Sequence, residues 1–143
     1  MSELILDRYL DHPPAKVFTF ITDPDLVLKW WGPEYVTRTR GEMDFSKPGP
    51  WRAEMSIEDG RTVTVSGQVF TSEPVERLSY TWAWHTDGVR GHESIVHFKL
   101  SPKGAGTMLQ LIHTDLPDED AQTNHCTGWT STLNCLEKFS KTN

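Results

Sequence analysis

The chain has 143 residues, six tryptophans and a formal net charge of −6, with 20 Asp and Glu against 14 Lys and Arg. That length predicts one domain over residues 1–143, and the acidic balance argues against nucleic acid or an anionic membrane as partner, since both need a positive field. Hydrophobic residues at 36%, together with the aromatic load, argue against disorder.

In residues 4–10, Leu4, Leu6 and Leu10 fall on one face and Asp7 on the other, which predicts a first strand. His12-Pro13-Pro14 ends it, and proline suits the first turn of a helix, whose N–H groups lack intrahelical partners. Val17, Phe18, Phe20 and Ile21 then recur at helical spacing. Asp23 is placed to cap a second short helix, with Pro24 at its first position. Gly32-Pro33 stops that helix after Trp30 and Trp31.

From Tyr35 to Leu116 the period changes to two. One strand is expected over residues 35–45. In the next, Trp51, Ala53, Met55 and Ile57 alternate with Arg52, Glu54 and Ser56. Val63, Val65 and Val69 mark another, with Gly67 in phase as a bulge or close approach. Leu78, Tyr80, Trp82 and Trp84 share one face of a fifth strand. Val96, Phe98 and Leu100 share a face of the sixth, and Leu109, Leu111 and His113 a face of the seventh. Asp59-Gly60, Asp87-Gly88 and Gly104-Ala105-Gly106 read as turns.

Pro117-Asp118-Glu119-Asp120 opens a last helix, its acids matching the positive end of the helix dipole. His125, Trp129, Leu133 and Leu136 form its apolar stripe. Gly128 beside Trp129 costs a helix roughly 1 kcal/mol against Ala, so a bulky ring or another backbone is expected to pass close there. Cys126 and Cys135 lie nine residues apart on this helix, on opposite faces and roughly 13 Å apart along its axis, which excludes a disulfide between them. Unpaired cysteines and charges that interrupt any export signal in residues 1–10 point to the cytoplasm. No run of about 20 apolar residues is present to span a membrane.

This order predicts an α+β fold: a curved seven-stranded antiparallel sheet, two short helices after its first strand, and a long C-terminal helix covering one face. A single helix about 10 Å wide cannot fill the concave face of such a sheet, so a gap is expected between them unless large side chains or the short helices plug it. An apolar small molecule in that gap is the leading functional reading. Inward phase nominates Trp51, Met55, Tyr80, Trp82, Phe98 and Leu111 from the strands as its lining. Trp129 and Leu133 join them from the last helix. The aromatic set Trp31, Trp51, Trp82, Trp84, Phe98 and Trp129 is also a candidate lining as a group, which adds Trp31. Tyr80 and His113 are the polar groups that would orient a ligand. The plain alternative for all of these residues is solid core.

Chemistry beyond binding finds little support in the residues. Glu54 and Glu93 fall out of phase with the apolar face and read as solvated surface. The histidines are scattered without metal-ligand spacing, and no nucleophile elbow or phosphate-binding loop occurs, so neither metal nor cofactor is expected. A cyclase- or hydrolase-like enzyme would have to rely on Tyr80, His113 or His125 as acid or base. A protein-interaction module would need an apolar outer face, for which Met108 and Ile112 are the candidates. A homodimer through an edge strand stays open.

Several short motifs, in order, resemble one family. Residues 8–14, Val17-Phe18, Asp23-Pro24 and Trp30-Trp31-Gly32-Pro33 match its opening. Glu42-Met43-Asp44, Gly49-Pro50-Trp51-Arg52, Glu58-Asp59-Gly60 and Gly67-Gln68-Val69 follow. Pro74-Val75-Glu76-Arg77-Leu78, Gly106-Thr107 and His125-Cys126-Thr127-Gly128-Trp129 complete the series. The sequence resembles the START-like, or SRPBCC, superfamily, and within it the branch named after the activator of the heat-shock-protein-90 ATPase. Pro50 stands where that family commonly has a second glycine. The resemblance implies a helix-grip fold, a curved antiparallel sheet wrapped around a long C-terminal helix with a cavity between them. It implies function only broadly: relatives bind lipids, hormones, polyketides or other apolar small molecules, and some are enzymes. The heat-shock activator itself carries a further N-terminal domain that this sequence does not show, so a co-chaperone role does not come with the name.

Overall fold

The period-two segments pair into one sheet in the computed structural model, which describes residues 1–143. β1 (Ser2–Leu10) leads into α1 (Pro14–Thr22) and α2 (Pro24–Trp30). Then come β2 (Val36–Glu42), β3 (Gly49–Ile57), β4 (Thr62–Glu73), β5 (Arg77–Thr86), a two-residue β6 (Val89–Arg90), β7 (Ser94–Lys103) and β8 (Gly106–Leu116). The long helix α3 (Glu119–Lys141) ends the chain. All pairings are antiparallel, in the order β1-β8-β7-β5-β4-β3-β2, and β6 attaches to β5 off that path. The sequence expectation is met in element order. It differs at β6, where the return from the Asp87-Gly88 turn pairs His85 with Arg90 and Thr86 with Val89.

Local chemistry sets the helix boundaries. The Asp23 carboxylate accepts the backbone N–H of Asp25 at 2.9 Å and of Leu26 at 3.3 Å, the N-cap that starts α2. Gly32 ends that region with φ +104°, and a Cβ there would lie 3.2 Å from Val36 and 3.3 Å from the Met55 sulfur. Asp118 caps α3 by accepting from the Ala121 N–H at 2.8 Å. At Gly67 the close approach is explicit. The Trp51 indole N–H crosses it to donate to the Thr81 carbonyl at 3.1 Å, and a Cβ on Gly67 would lie 2.7 Å from that nitrogen.

The helices do not cover the sheet evenly. α3 packs on β1 and β8 and touches α2, α1 lies against β7 and β8, and α2 lies against β2. Their backbones stay away from β3, β4 and β5, which only side chains reach. The middle of the bowl is filled by aromatic side chains: Phe45, Trp129 and, just past α2, Trp31. The Trp31 ring is 5.8 Å from Trp51, 5.9 Å from Trp82, 5.8 Å from Trp129 and 6.4 Å from Tyr80, centroid to centroid. Trp82 and Trp129 also meet directly, at 5.2 Å. No helix is long and apolar enough to cross a membrane.

Candidate functional site

Space remains beside this aromatic plug. A cleft of about 500 Å³ lies between the first half of α3, the α2–β2 connection and the ends of β3, β4 and β5. Its floor is buried: Trp31, Gly32, Met55, Trp82, Trp129 and Thr132. Half-buried Val36, Ile57, Val63 and Trp84 form the sheet-side wall, and Ala121, His125 and Gly128 the helix-side wall. Tyr35, Pro117, Asp118, Asp120 and Asn124 are exposed at the rim.

Of the side chains nominated from sequence, Trp31, Met55, Trp82 and Trp129 border this space. Trp51, Tyr80, Phe98, Leu111, His113 and Leu133 do not; they are buried in the layer beneath it. The physical reason is the aromatic layer of Phe45, Trp31 and Trp129, which packs over Trp51, Tyr80, Phe98 and His113 and separates them from the open cleft. Inward phase along a strand cannot distinguish those two depths. Tyr80 illustrates the correction best. Expected to orient a ligand, it instead stacks on Phe45 at 4.7 Å with an interplanar angle of 6°, its buried hydroxyl without a hydrogen-bond partner. Burial also pushes its pKa up, so it stays protonated.

Two tryptophan–histidine pairs hold the boundary between core and cleft. The Trp129 indole N–H donates to His113 Nδ1 at 3.0 Å, and the Trp84 indole N–H donates to His125 Nε2 at 2.9 Å. An indole nitrogen only donates, so each acceptor nitrogen is unprotonated. His113 Nε2–H then donates to Ser94 Oγ at 2.7 Å, and His125 Nδ1–H to the Ala121 carbonyl at 2.7 Å. Both rings are fully partnered and neutral. The two imidazoles sit edge to face, 4.9 Å apart. Burial, with smaller repulsion from His125 and His97, lowers the His113 pKa to about 3. Burial also lowers that of His125, against a smaller opposing effect of its bond to Ala121. Trp82, on the cleft floor, keeps a buried indole N–H with no partner.

Gly128 corrects another expectation. Nothing crowds it: a Cβ there would meet only Pro33, at 3.9 Å, and the residue forms part of the cleft wall. Cys126 and Cys135 are free and half-buried on α3. Glu54 and Glu93 are surface residues paired with Arg40 and Arg90. No group of three or more His, Cys, Asp or Glu side chains is placed to hold a metal. On the opposite face of the sheet, Met108 and Ile112 are half-buried next to the exposed Tyr9 and Ile5 of β1.

Sequence reasoning placed Trp84 in the candidate aromatic set but missed Tyr35, Asn124 and the acidic rim as parts of one site. The rim joins the α2–β2 connection to the start of α3, and that placement is tertiary.

Comparison with known proteins bears on the whole of this architecture. The family model described as Activator of Hsp90 ATPase homolog 1-like protein matches residues 11–141. The crystal structure of an AHSA1 protein from Silicibacter pomeroyi is 35% identical, with a TM-score of 0.91 and 96% of each chain covered. A Chromobacterium violaceum protein is 26% identical, with a TM-score of 0.86 over 96% of each chain. An Arthrobacter aurescens protein, at 18% identity and TM-score 0.86 over 99% of this chain and 87% of that one, shares the fold. No curated protein matches the sequence. The motif order, the sheet wrapped on a C-terminal helix and the match over residues 11–141 agree: the chain belongs to the family of Activator of Hsp90 ATPase homolog 1-like proteins, within the SRPBCC superfamily.

Proposed function

We propose that this chain binds an apolar or aromatic small molecule in the cleft between sheet and α3, without a cofactor. The observation that carries the reading is the cleft itself, about 500 Å³ with four indoles on its walls and few polar groups. Small-molecule sites are concave, mostly apolar and of this size class, whereas cores packed only for stability leave few voids larger than a water. The two free thiols on α3 suit a cytoplasmic setting.

The cleft favours binding over a cyclase- or hydrolase-like reaction. A general base needs a free lone pair, and the unprotonated nitrogens of His113 and His125 each accept an indole N–H. The Tyr80 hydroxyl does not border the space.

Titration with Nile red, a neutral aromatic dye, tests the reading. Saturable, blue-shifted emission with one site per chain is expected. Val63→Trp adds bulk on the β4 wall and is expected to weaken binding by roughly tenfold or more, equivalent to about 1.4 kcal/mol, with little change in melting temperature. Absence of saturable binding, or an affinity untouched by Val63→Trp, would overturn it.

A further inference from the structure

The cleft has a chemical polarity that its apolar floor does not require. None of its 19 lining residues is Lys or Arg, while Asp118 and Asp120 both stand at its rim. These two exposed carboxylates are in no ion pair, like most of the chain's 20 Asp and Glu, so no cation of the chain itself neutralises the rim. Asp118 spends one oxygen on the Ala121 N–H. Asp120 makes no side-chain hydrogen bond at all.

The helix end would otherwise favour the opposite charge. A bare N-terminus of α3 beside the cleft would attract a carboxylate or phosphate, because its N–H groups and dipole present positive charge. Here Asp118, Glu119 and Asp120 reverse that field, and the Asp118 cap occupies one of the donors an anion would use. The one basic-capable side chain in the lining, His125, is held neutral by the Trp84 indole N–H at 2.9 Å. Electron-rich rings complete the setting. Trp31, Trp82, Trp84, Trp129 and Tyr35 border the space, and such rings attract organic cations.

We infer that the occupant is an organic cation: an aromatic or alkyl body on the tryptophan floor, with an ammonium head at the Asp118 and Asp120 rim. This rests on the cleft being a binding site, as proposed above. An apolar body without the head fits the floor but leaves the rim unused. A carboxylate head would meet two like charges and no counter-ion.

Isothermal titration with three naphthyl-alkyl compounds of equal length separates the two claims. One carries a trimethylammonium head, one a carboxylate and one a hydroxyl. The ammonium is expected to bind at least tenfold tighter than the carboxylate, with the alcohol between. Asp118→Asn with Asp120→Asn, in which asparagine keeps the cap, is expected to reduce that ratio to about twofold and leave alcohol affinity unchanged. Should the alcohol bind while the carboxylate matches or exceeds the ammonium, the charge preference is wrong and the binding reading survives. A preference that persists in the double variant also overturns the assignment to this rim. Binding of none of the three overturns both.

Discussion

His113 ties the stability of the fold to pH. It is buried, with its pKa lowered to about 3, while the same imidazole in the unfolded chain titrates near 6.5. Below that value the unfolded state takes up a proton that the folded state refuses. Stability present at pH 7 is therefore lost as pH falls through the window from about 6.5 to about 3. At pH 5 this group alone removes about 2 kcal/mol by linkage, and the lowered pKa of His125 adds in the same direction. Asp44 and Asp59, whose pKa values are held down by hydrogen bonds from Ser46 and Arg61, act mainly below pH 4 and contribute little to that interval. Urea unfolding at the two pH values is expected to show a loss of about 2 kcal/mol or more. His113→Gln is expected to be less stable at pH 7 but to show a shallower dependence. Equal wild-type stability at pH 5 and pH 7 would contradict the tautomer assignment that Trp129 imposes.

Among the elements, α3 carries a weakness that the cleft explains. Gly128 lies mid-helix, and its only neighbour for an added methyl is Pro33 at 3.9 Å. Gly128→Ala is thus expected to raise stability by about 1 kcal/mol, the ordinary helix gain. Because that methyl joins the cleft wall, it is also expected to weaken Nile red binding, and thermal melts with parallel titrations measure both. A destabilised Ala variant would mean that the backbone here is crowded after all. The same helix shows what the amino-acid order made legible. The stripe His125, Trp129, Leu133 and Leu136 announced the helix and its inward face, and Trp51, Ala53 and Met55 announced the buried face of β3, because period and burial are local properties of one element. Depth is not. Tyr80 and Trp82 share a strand face, yet one ends in solid core and the other on a cleft floor, since Phe45 arrives from outside the strand to stack on the first. The rim was illegible for the same reason. Tyr35 and Asp118 are 83 residues apart and border one cleft only because α2 and α3 pack together.

For the molecule as a whole, the decisive fact is that Trp31 sits where the packed aromatic core meets the cleft. A sheet this broad under one helix leaves more volume than α3 can fill, and the chain closes part of it with Trp31, placed directly after α2 with Gly32-Pro33 behind. Thr39 holds that turn by donating its hydroxyl to the Trp31 carbonyl at 2.8 Å. The Trp31 ring contacts Phe45, Trp51, Tyr80, Trp82 and Trp129 at once, so its size sets both the stability of the core and the depth of the cleft. Trp31→Ala is expected to cost about 3–5 kcal/mol, the range for truncating a buried Trp. A domain stability of about 5–15 kcal/mol keeps the variant folded in most of that range. The vacated volume adjoins the existing space, so the cleft should deepen toward Trp51 and Tyr80. Titration with Nile red and with a bulkier neutral polycyclic dye then reads the change. The affinity ratio is expected to shift toward the larger dye in Trp31→Ala, while Trp30→Ala, a control whose ring does not border the cleft and whose indole N–H donates to Phe20 at 2.9 Å, is expected to lose stability without that shift. Equal ratios in the two variants would show that Trp31 is ordinary core and that the cleft ends where its ring begins.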